Sequence, residues 1–223
     1  MLIPFSVKEW LLDIFYPPTC ITCKQDGAWL CEACLEHIPL FDALDDEITS
    51  IGPYANPVLR SLLTQLKYCS AFCLASGLRE LAARFAFAQR GLWPWIHEPT
   101  VSICAIPSDA RRIRERGFDH IRILLEIVHA EIVPQATLIE GLVRSKHVVQ
   151  NASLPANALR KKNIQGVFKA PKQVQGAVLL IDDIYTTGAT WHEAARVLQE
   201  AGASKVYGFV FARKHEKKEH KDK

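Results

Sequence analysis

Residues 178–190 read VLLIDDIYTTGAT, and this stretch decides the architecture of the chain. Val178 to Ile181 are apolar without alternation, the pattern of a strand covered on both faces, as in a parallel sheet flanked by helices. The strand runs into two adjacent carboxylates, Asp182 and Asp183. Three threonines around Gly188 then make a short turn. From about Ala189 the spacing becomes helical, with Ala194, Val197, Leu198 and Ala201 on one side and Gly202 as a stop. Ligands of such sheets sit at the carboxyl ends of the strands, so the acids and the turn are predicted to open onto a ligand edge.

The residue types of the turn suit an anion. Thr186, Thr187 and Thr190 offer hydroxyl donors, Gly188 permits a sharp turn, and the free N–H groups of a helix start attract negative charge. The carboxylates have the opposite preference. They can accept hydrogen bonds from the vicinal hydroxyls of a sugar, or hold a divalent cation through water. A phosphate on one side and a diol on the other describe a ribose 5-phosphate. The plainer reading is a strand that ends in acids before an ordinary capped helix.

The stretch resembles the phosphoribosyl pyrophosphate (PRPP) signature of type I phosphoribosyltransferases: an apolar strand, two acids, two variable residues, then Thr-x-Gly-x-Thr or a close relative. The resemblance implies an α/β fold with a mostly parallel sheet flanked by helices. It also implies that Asp182 and Asp183 face the ribose hydroxyls as the catalytic pair, with Mg2+ accompanying PRPP. Tyr185, Thr186, Thr187, Gly188, Ala189 and Thr190 would then enclose the 5-phosphate.

Length and composition agree with one main α/β domain. A chain of 223 residues with 49% hydrophobic content can bury a substantial core. The predicted organisation is an N-terminal helix and cysteine module over 1–40, the α/β domain over 41–213, and a charged tail over 214–223, read as disordered. The net charge of +3 is too small to indicate nucleic-acid binding by itself. It is unevenly distributed: between Gly141 and Lys169 there are six Lys or Arg and no acid, either a solvated face or a contact for polyphosphate or nucleic acid. No apolar run is long enough to span a membrane. The N-terminus lacks a basic region and carries Lys8, Glu9 and Asp13 among its apolar residues, which argues against a signal peptide. It reads as a short amphipathic helix whose Trp10, Leu11, Ile14 and Phe15 pack on the protein rather than on a membrane. A cytoplasmic location follows.

That compartment bears on the cysteines. Cys20-x2-Cys23 and Cys31-x2-Cys34 form two knuckles separated by seven residues, the spacing of a four-thiolate structural zinc site. Disulfides are the alternative, and a reducing compartment and an odd total of seven cysteines count against them. A head this small has little core, so the metal is expected to supply its stability.

Further along, 50–56 reads as a strand and turn, 58–67 and 71–90 have helical spacing, and Val101 to Ile106 is a short buried strand ending at Pro107. Arg111, Arg112, Arg114 and Arg116 then crowd before Gly117, and a helix continues through Ile121, Leu124, Leu125 and Val128. Arginine forks bind phosphate oxygens in bidentate fashion, so Arg112 and Arg116 are candidate pyrophosphate contacts. The alternative is a solvated helix start partly neutralised by Asp109, Glu115 and Asp119.

The order of these pieces, Cys20 to Cys34, Pro107 to Phe118, Arg160 to Phe168 and Leu179 to Thr190, resembles the ComF family of competence-associated proteins from about Leu11 to Arg213. The chain departs from the family pattern at Asp119 and His120, where Asn-Gln is common, and in the spacing from Gln150 to Arg160. The resemblance implies a zinc-binding head, a phosphoribosyltransferase domain and a role in natural transformation. Its implied partners are incoming single-stranded DNA and a DNA-uptake helicase or other competence machinery. Two functions of different class follow. One is transfer of a ribose 5-phosphate from PRPP to an unidentified acceptor. The other is a non-catalytic PRPP or nucleotide sensor, or a single-stranded-DNA-binding protein, with Arg144, Arg160 and Lys161 as phosphate contacts and Trp29, Tyr68 or Phe118 as candidate stacking surfaces.

Overall fold

The computed structural model of the chain describes residues 18–40, 47–68, 71–89, 91–145 and 164–214, without the side chains of 71–73. The expected N-terminal helix, most of the acidic stretch after Pro39, Arg160, Lys161 and nearly all of the charged tail lie outside the described residues. In chain order the elements are α1 (Glu32–Glu36), β1 (Ile48–Pro53), α2 (Pro57–Leu66), α3 (Ala71–Ala88), β2 (Val101–Ala105), α4 (Ala110–Arg116), α5 (His120–Glu131), β3 (Thr137–Leu138), β4 (Val143–Arg144), β5 (Phe168–Lys169), β6 (Ala177–Tyr185), α6 (Ala189–Glu200) and β7 (Lys205–Arg213).

Five strands form one sheet in the order β1-β7-β6-β2-β3, every neighbouring pair parallel. The central strand is β6, with Leu179 level with Ile103 on one side and Tyr207 on the other. Its lack of alternation has the expected cause. Ala177, Leu179 and Ile181 join Ile103, Phe209 and Phe211 in a core under α2, α3 and α5, while Val178 and Leu180 join Cys104, Val206 and Val210 under α6. Helix α6 lies close to the sheet because Gly208 has no side chain: a Cβ there would come 2.5 Å from Trp191 Nε1. The short β4 and β5 form a separate antiparallel ribbon, and Phe168 packs into the α6 core.

The strand order creates the site. From β2 the chain moves outward to β3, and then returns to β6 and proceeds to β7 on the opposite side. Connections therefore leave β2 and β6 in opposite directions, and a crevice opens at their carboxyl ends. One wall begins at Pro107, after β2; the other is the Asp182–Thr190 loop.

Two features differ from the sequence-based expectation. The arginine segment and the following helix are two helices, because Gly117 takes a left-handed conformation (φ 82°) and Asp119 restarts the chain by accepting the Ile121 N–H at 3.0 Å. The cysteine head is also more than a metal-held appendage. Cys20, Leu30, Cys34, Leu35 and Ile38 belong to the same buried cluster as Leu59, Leu62, Leu78 and Leu81. Leu30 sits so tightly on α3 that a Cβ on Gly77 would come 2.9 Å from its own Cβ.

Candidate functional site

The acids lie near the carboxyl end of β6. Asp182 faces the crevice, and its Oδ1 accepts the Asp183 N–H at 2.9 Å. Asp183 is 9% exposed and is held on both oxygens. Its Oδ1 accepts the Ile184 N–H at 2.8 Å, and its Oδ2 pairs with Lys67 and lies 3.5 Å from His120 Nε2. His120 Nδ1 in turn lies 3.1 Å from Arg116 Nη1. A guanidinium can only donate, so Nδ1 accepts and the Nε2–H faces Asp183. A line of contacts thus runs from the arginine helix through His120 to the acid pair.

Electrostatics separate the two acids. Burial, then the adjacent Asp183 charge, push the Asp182 carboxyl well above the usual carboxylate range. Burial would raise Asp183 as well, but the His120 hydrogen bond and the Lys67 cation reverse it and hold Asp183 well below that range. The donor set does not fit a divalent ion bound directly to Asp183. The Ile184 N–H occupies Oδ1, and the Lys67 ammonium, already a cation, sits against Oδ2 with the His120 ring 3.5 Å from the same oxygen.

The crevice is a cleft of about 1190 Å3. Asp182, Asp183, Thr190, Lys67 and His120 line it together with Arg111, Arg112, Arg114 and Arg116 of α4 and with Arg144. Helix α4 is fixed by Asp109, whose side chain caps it through the Arg111 N–H at 2.9 Å; that bond outweighs burial and, helped by Arg144, lowers the Asp109 pKa. Arg144 lies 3.8 Å from Asp109 and 5.8 Å from the centre of the Phe168 ring, so the β4–β5 ribbon contributes its cation to the same wall. Arg111 is engaged by Glu115 at 2.8 Å. Arg112 and Arg114 are exposed and make no ion pair among the described residues.

Below the acids, Gly188 (φ 73°) starts α6 without any side-chain cap. Its left-handed backbone leaves the first N–H groups of a 12-residue helix unclaimed by the turn. A small hollow of about 30 Å3 lies there, bounded by Tyr185, Thr186, Gly188, Ala189 and Trp191, and it shares Asp182, Ile184 and Thr190 with the large cleft. Tyr185 closes over it: a Cβ on Gly188 would fall 2.2 Å from the tyrosine hydroxyl. The Arg213 guanidinium is 5.1 Å from the same ring. Thr186 and Thr187 are exposed, and Thr187 lines neither cavity.

The sequence singled out Asp182, Asp183, Thr190, Arg112, Arg116 and Arg144, and the fold brings all of them to one cleft. It did not mark Lys67, which follows α2 more than a hundred residues earlier, and it marked His120 only as a departure from a family pattern. No local signal identifies Lys67, since its partner is fixed by the sheet.

In the head, one sulfur from each of Cys20, Cys23, Cys31 and Cys34 lies within 4.8 Å of every other, and Cys23 and Cys31 approach to 3.5 Å. These cysteines and Cys104 are free thiols. Tetrahedral zinc with Zn–S bonds of about 2.3 Å separates its sulfurs by about 3.8 Å, so the donor set fits. Burial opposes ionisation of Cys20, but the backbone N–H groups of Cys31, Cys23 and Thr22 lower it to about 6. Burial and the crowding thiols of Cys23, Cys31 and Cys20 push Cys34 up to about 12.

Strand order, acid pair and uncapped helix start together put the chain in the type I phosphoribosyltransferase fold class. The chain is 30% identical to the DNA utilization protein YhgH of Escherichia coli (strain K12) over 185 residues, 82% of this chain and 77% of that protein. It is also 30% identical to the competence protein ComFC of Streptococcus pneumoniae over 108 residues, 48% of this chain and 46% of that one. The chain belongs to the ComF family. No family model matches it. Among solved structures it overlaps a glutamine PRPP amidotransferase from B. subtilis with a TM-score of 0.39 and 17% identity, spanning 66% of this chain and 30% of that one. The strand order and the loop, rather than that partial overlap, define the class. No helix of the described residues is long and apolar enough to cross a membrane.

Proposed function

We propose that this chain binds the ribose 5-phosphate part of PRPP at the Asp182–Thr190 loop and transfers it to an acceptor during the handling of incoming DNA. The observation that carries this reading is the uncapped start of α6 behind Gly188, opening beside Asp182 onto a cleft that an arginine helix also lines. The helix start and Thr190 suit the 5-phosphate, the Asp182 side of the loop suits the ribose hydroxyls, and Arg112, Arg114 and Arg116 suit the pyrophosphate. In the transfer, the bond from ribose C1 to the pyrophosphate oxygen breaks with its electron pair on oxygen. The acceptor forms the new bond at C1 and releases its proton. The arginines stabilise the charge leaving with pyrophosphate. Mg2+ enters this reading only as an ion chelated by the pyrophosphate of PRPP itself.

Zinc in the four-cysteine head is part of the same proposal, supported by four converging sulfurs, and so is a cytoplasmic location, where such thiols stay reduced. Participation in DNA handling is supported by the names of the relatives, a DNA utilization protein and a competence protein. Single-stranded DNA and other competence machinery, such as an uptake helicase, are the partners this reading names.

Calorimetry with PRPP tests binding. Asp183→Asn and Thr190→Ala should each weaken it, and undiminished binding in both would end the assignment. A screen of bases, nucleosides and amines for pyrophosphate release, with Asp183→Asn as blank, tests turnover.

A second reading is favoured by Arg112 and Arg114, which line the cleft, are exposed and make no ion pair among the described residues. There the cleft serves as a non-catalytic PRPP or nucleotide sensor, or tracks the phosphates of single-stranded DNA. PRPP binding without pyrophosphate release for any acceptor selects it.

A further inference from the structure

The acid pair of this fold carries its own cation. Lys67, at the end of α2, reaches across the cleft floor to Asp183 Oδ2, and both side chains are largely buried, 24% and 12% exposed. His120, 8% exposed at its side chain, faces the same oxygen from the other side. The Ile184 N–H occupies Oδ1. A magnesium ion prefers six oxygens in near-octahedral geometry and keeps several waters. Against Asp183 it would meet an ammonium already in place, and two cations sharing one buried carboxylate repel strongly.

We propose that Lys67 takes the place of a divalent ion at the acid pair, so that the ligand-free protein recruits no metal there and binds ribose phosphates through a built-in ammonium. The ligand half of this statement rests on the proposed function; the exclusion of metal stands on the geometry alone. The Lys67 ammonium has three donors, of which one meets Asp183. The other two serve oxygens of a ligand in the cleft that Lys67 lines together with the arginine helix. His120 holds the carboxylate in register from its other side, linked to Arg116.

The experiment uses the full zinc-loaded chain and Mn2+ as the probe, titrated by electron paramagnetic resonance against the wild type, Lys67→Met, Lys67→Arg and Lys67→Met with Asp183→Asn. The expected result is no uptake by the wild type or Lys67→Arg at submillimolar Mn2+. Lys67→Met should gain one site at least about tenfold tighter, and the Asp183→Asn double variant should lose it. Equal Mn2+ affinity in the wild type and Lys67→Met would overturn the proposal, as would a folded Lys67→Met that gains no site. Circular dichroism confirms folding, and a Lys67→Met that fails to fold passes the decision to the wild type, where a site removed by Asp183→Asn overturns the proposal and none supports it.

A parallel calorimetric titration with ribose 5-phosphate, in magnesium-free buffer without chelator and in millimolar Mg2+, reads the ligand half. Wild-type affinity should agree within about twofold between the two buffers, while Lys67→Met should bind at least about tenfold more weakly in the magnesium-free buffer. A wild-type affinity that collapses without Mg2+ would overturn the proposal. No binding of ribose 5-phosphate in any arm would instead overturn the proposed ligand, leaving the Mn2+ titration to decide the role of Lys67.

Discussion

Glu193 on α6 accepts the backbone N–H of Gly166 at 2.7 Å, so the helix that starts at the Gly188 loop also anchors the chain just before β5. The carboxylate is 8% exposed and is shared with Arg196 at 2.8 Å. Glu193→Ala should cost about 1 kcal/mol in urea unfolding, because it removes the acceptor of the Gly166 N–H and one of the two carboxylates that Arg196 pairs with, Glu200 remaining. Glu193→Gln, which keeps one acceptor, should cost less. The Arg196 hydrogen bond, against burial and with the Gly166 N–H, lowers the Glu193 pKa. Its contribution is therefore complete above the unfolded value near 4.3 and fades as pH falls below it, an acid dependence that Glu193→Gln should remove.

Gly188→Ala sets a second test. The positive φ and the nearby Tyr185 hydroxyl both oppose a Cβ, so the variant should lose about 1–2 kcal/mol of stability. Ribose 5-phosphate affinity should drop with it. Tyr185→Ala in the same background removes the collision but not the backbone strain, and should recover part of the stability in a thermal melt.

Asp182 and Asp183 should respond oppositely to pH. Burial and the Asp183 charge raise the Asp182 pKa, so the native state holds this proton more tightly than the unfolded chain does. Stability therefore falls as pH rises from about 3.9 through the native value. Asp182→Asn keeps the acceptor for the Asp183 N–H and removes the charge. Its melting temperature should exceed the wild type's more at pH 7 than at pH 4, by roughly 2–4 °C for each kcal/mol relieved. Asp183→Asn should do the reverse, because its lowered pKa stabilises the fold at neutral pH and stops doing so in acid.

Much of this site was legible because its pieces are local. An apolar run ending in two acids, a glycine turn and a helical period are written within 13 consecutive residues, and each reports on its own backbone. Strand β7, with Phe209, Val210 and Phe211 at the sheet centre, went unmarked because it bears no motif and its role comes from pairing with β1 and β6. The break at Gly117 was hidden by helical spacing on both sides, although glycine then an acid is a stop and a cap. Lys67 and Glu193 acquire their partners only after long-range pairing brings distant turns together.

The arginine helix should separate two ligands. Arg112→Ala and Arg114→Ala together should weaken PRPP binding by about tenfold or more, since each charged hydrogen bond contributes about 1.5–3 kcal/mol. Ribose 5-phosphate, which lacks the pyrophosphate, should keep its affinity within about twofold. Competition calorimetry measures both in one series.

Metal in the head should be released by acid. The Cys34 proton, held up to a pKa of about 12 without metal, must leave for a fourth thiolate to form, so zinc affinity falls as pH drops. Cys31→Ser with Cys34→Ser should abolish stoichiometric zinc by metal analysis. It should also lower the melting temperature of the whole chain in one transition, because Cys34 and Leu35 share a core with α2 and α3.

The close seat of Leu30 on Gly77 makes the head a poor candidate for trimming. A chain started at β1 would leave an open trough along α3, floored by a residue with no side chain to fill it and walled by leucines that have lost their cover. Such a fragment should precipitate when expressed, and a bulkier residue at position 77 would mend the trough only by barring the head from the intact protein.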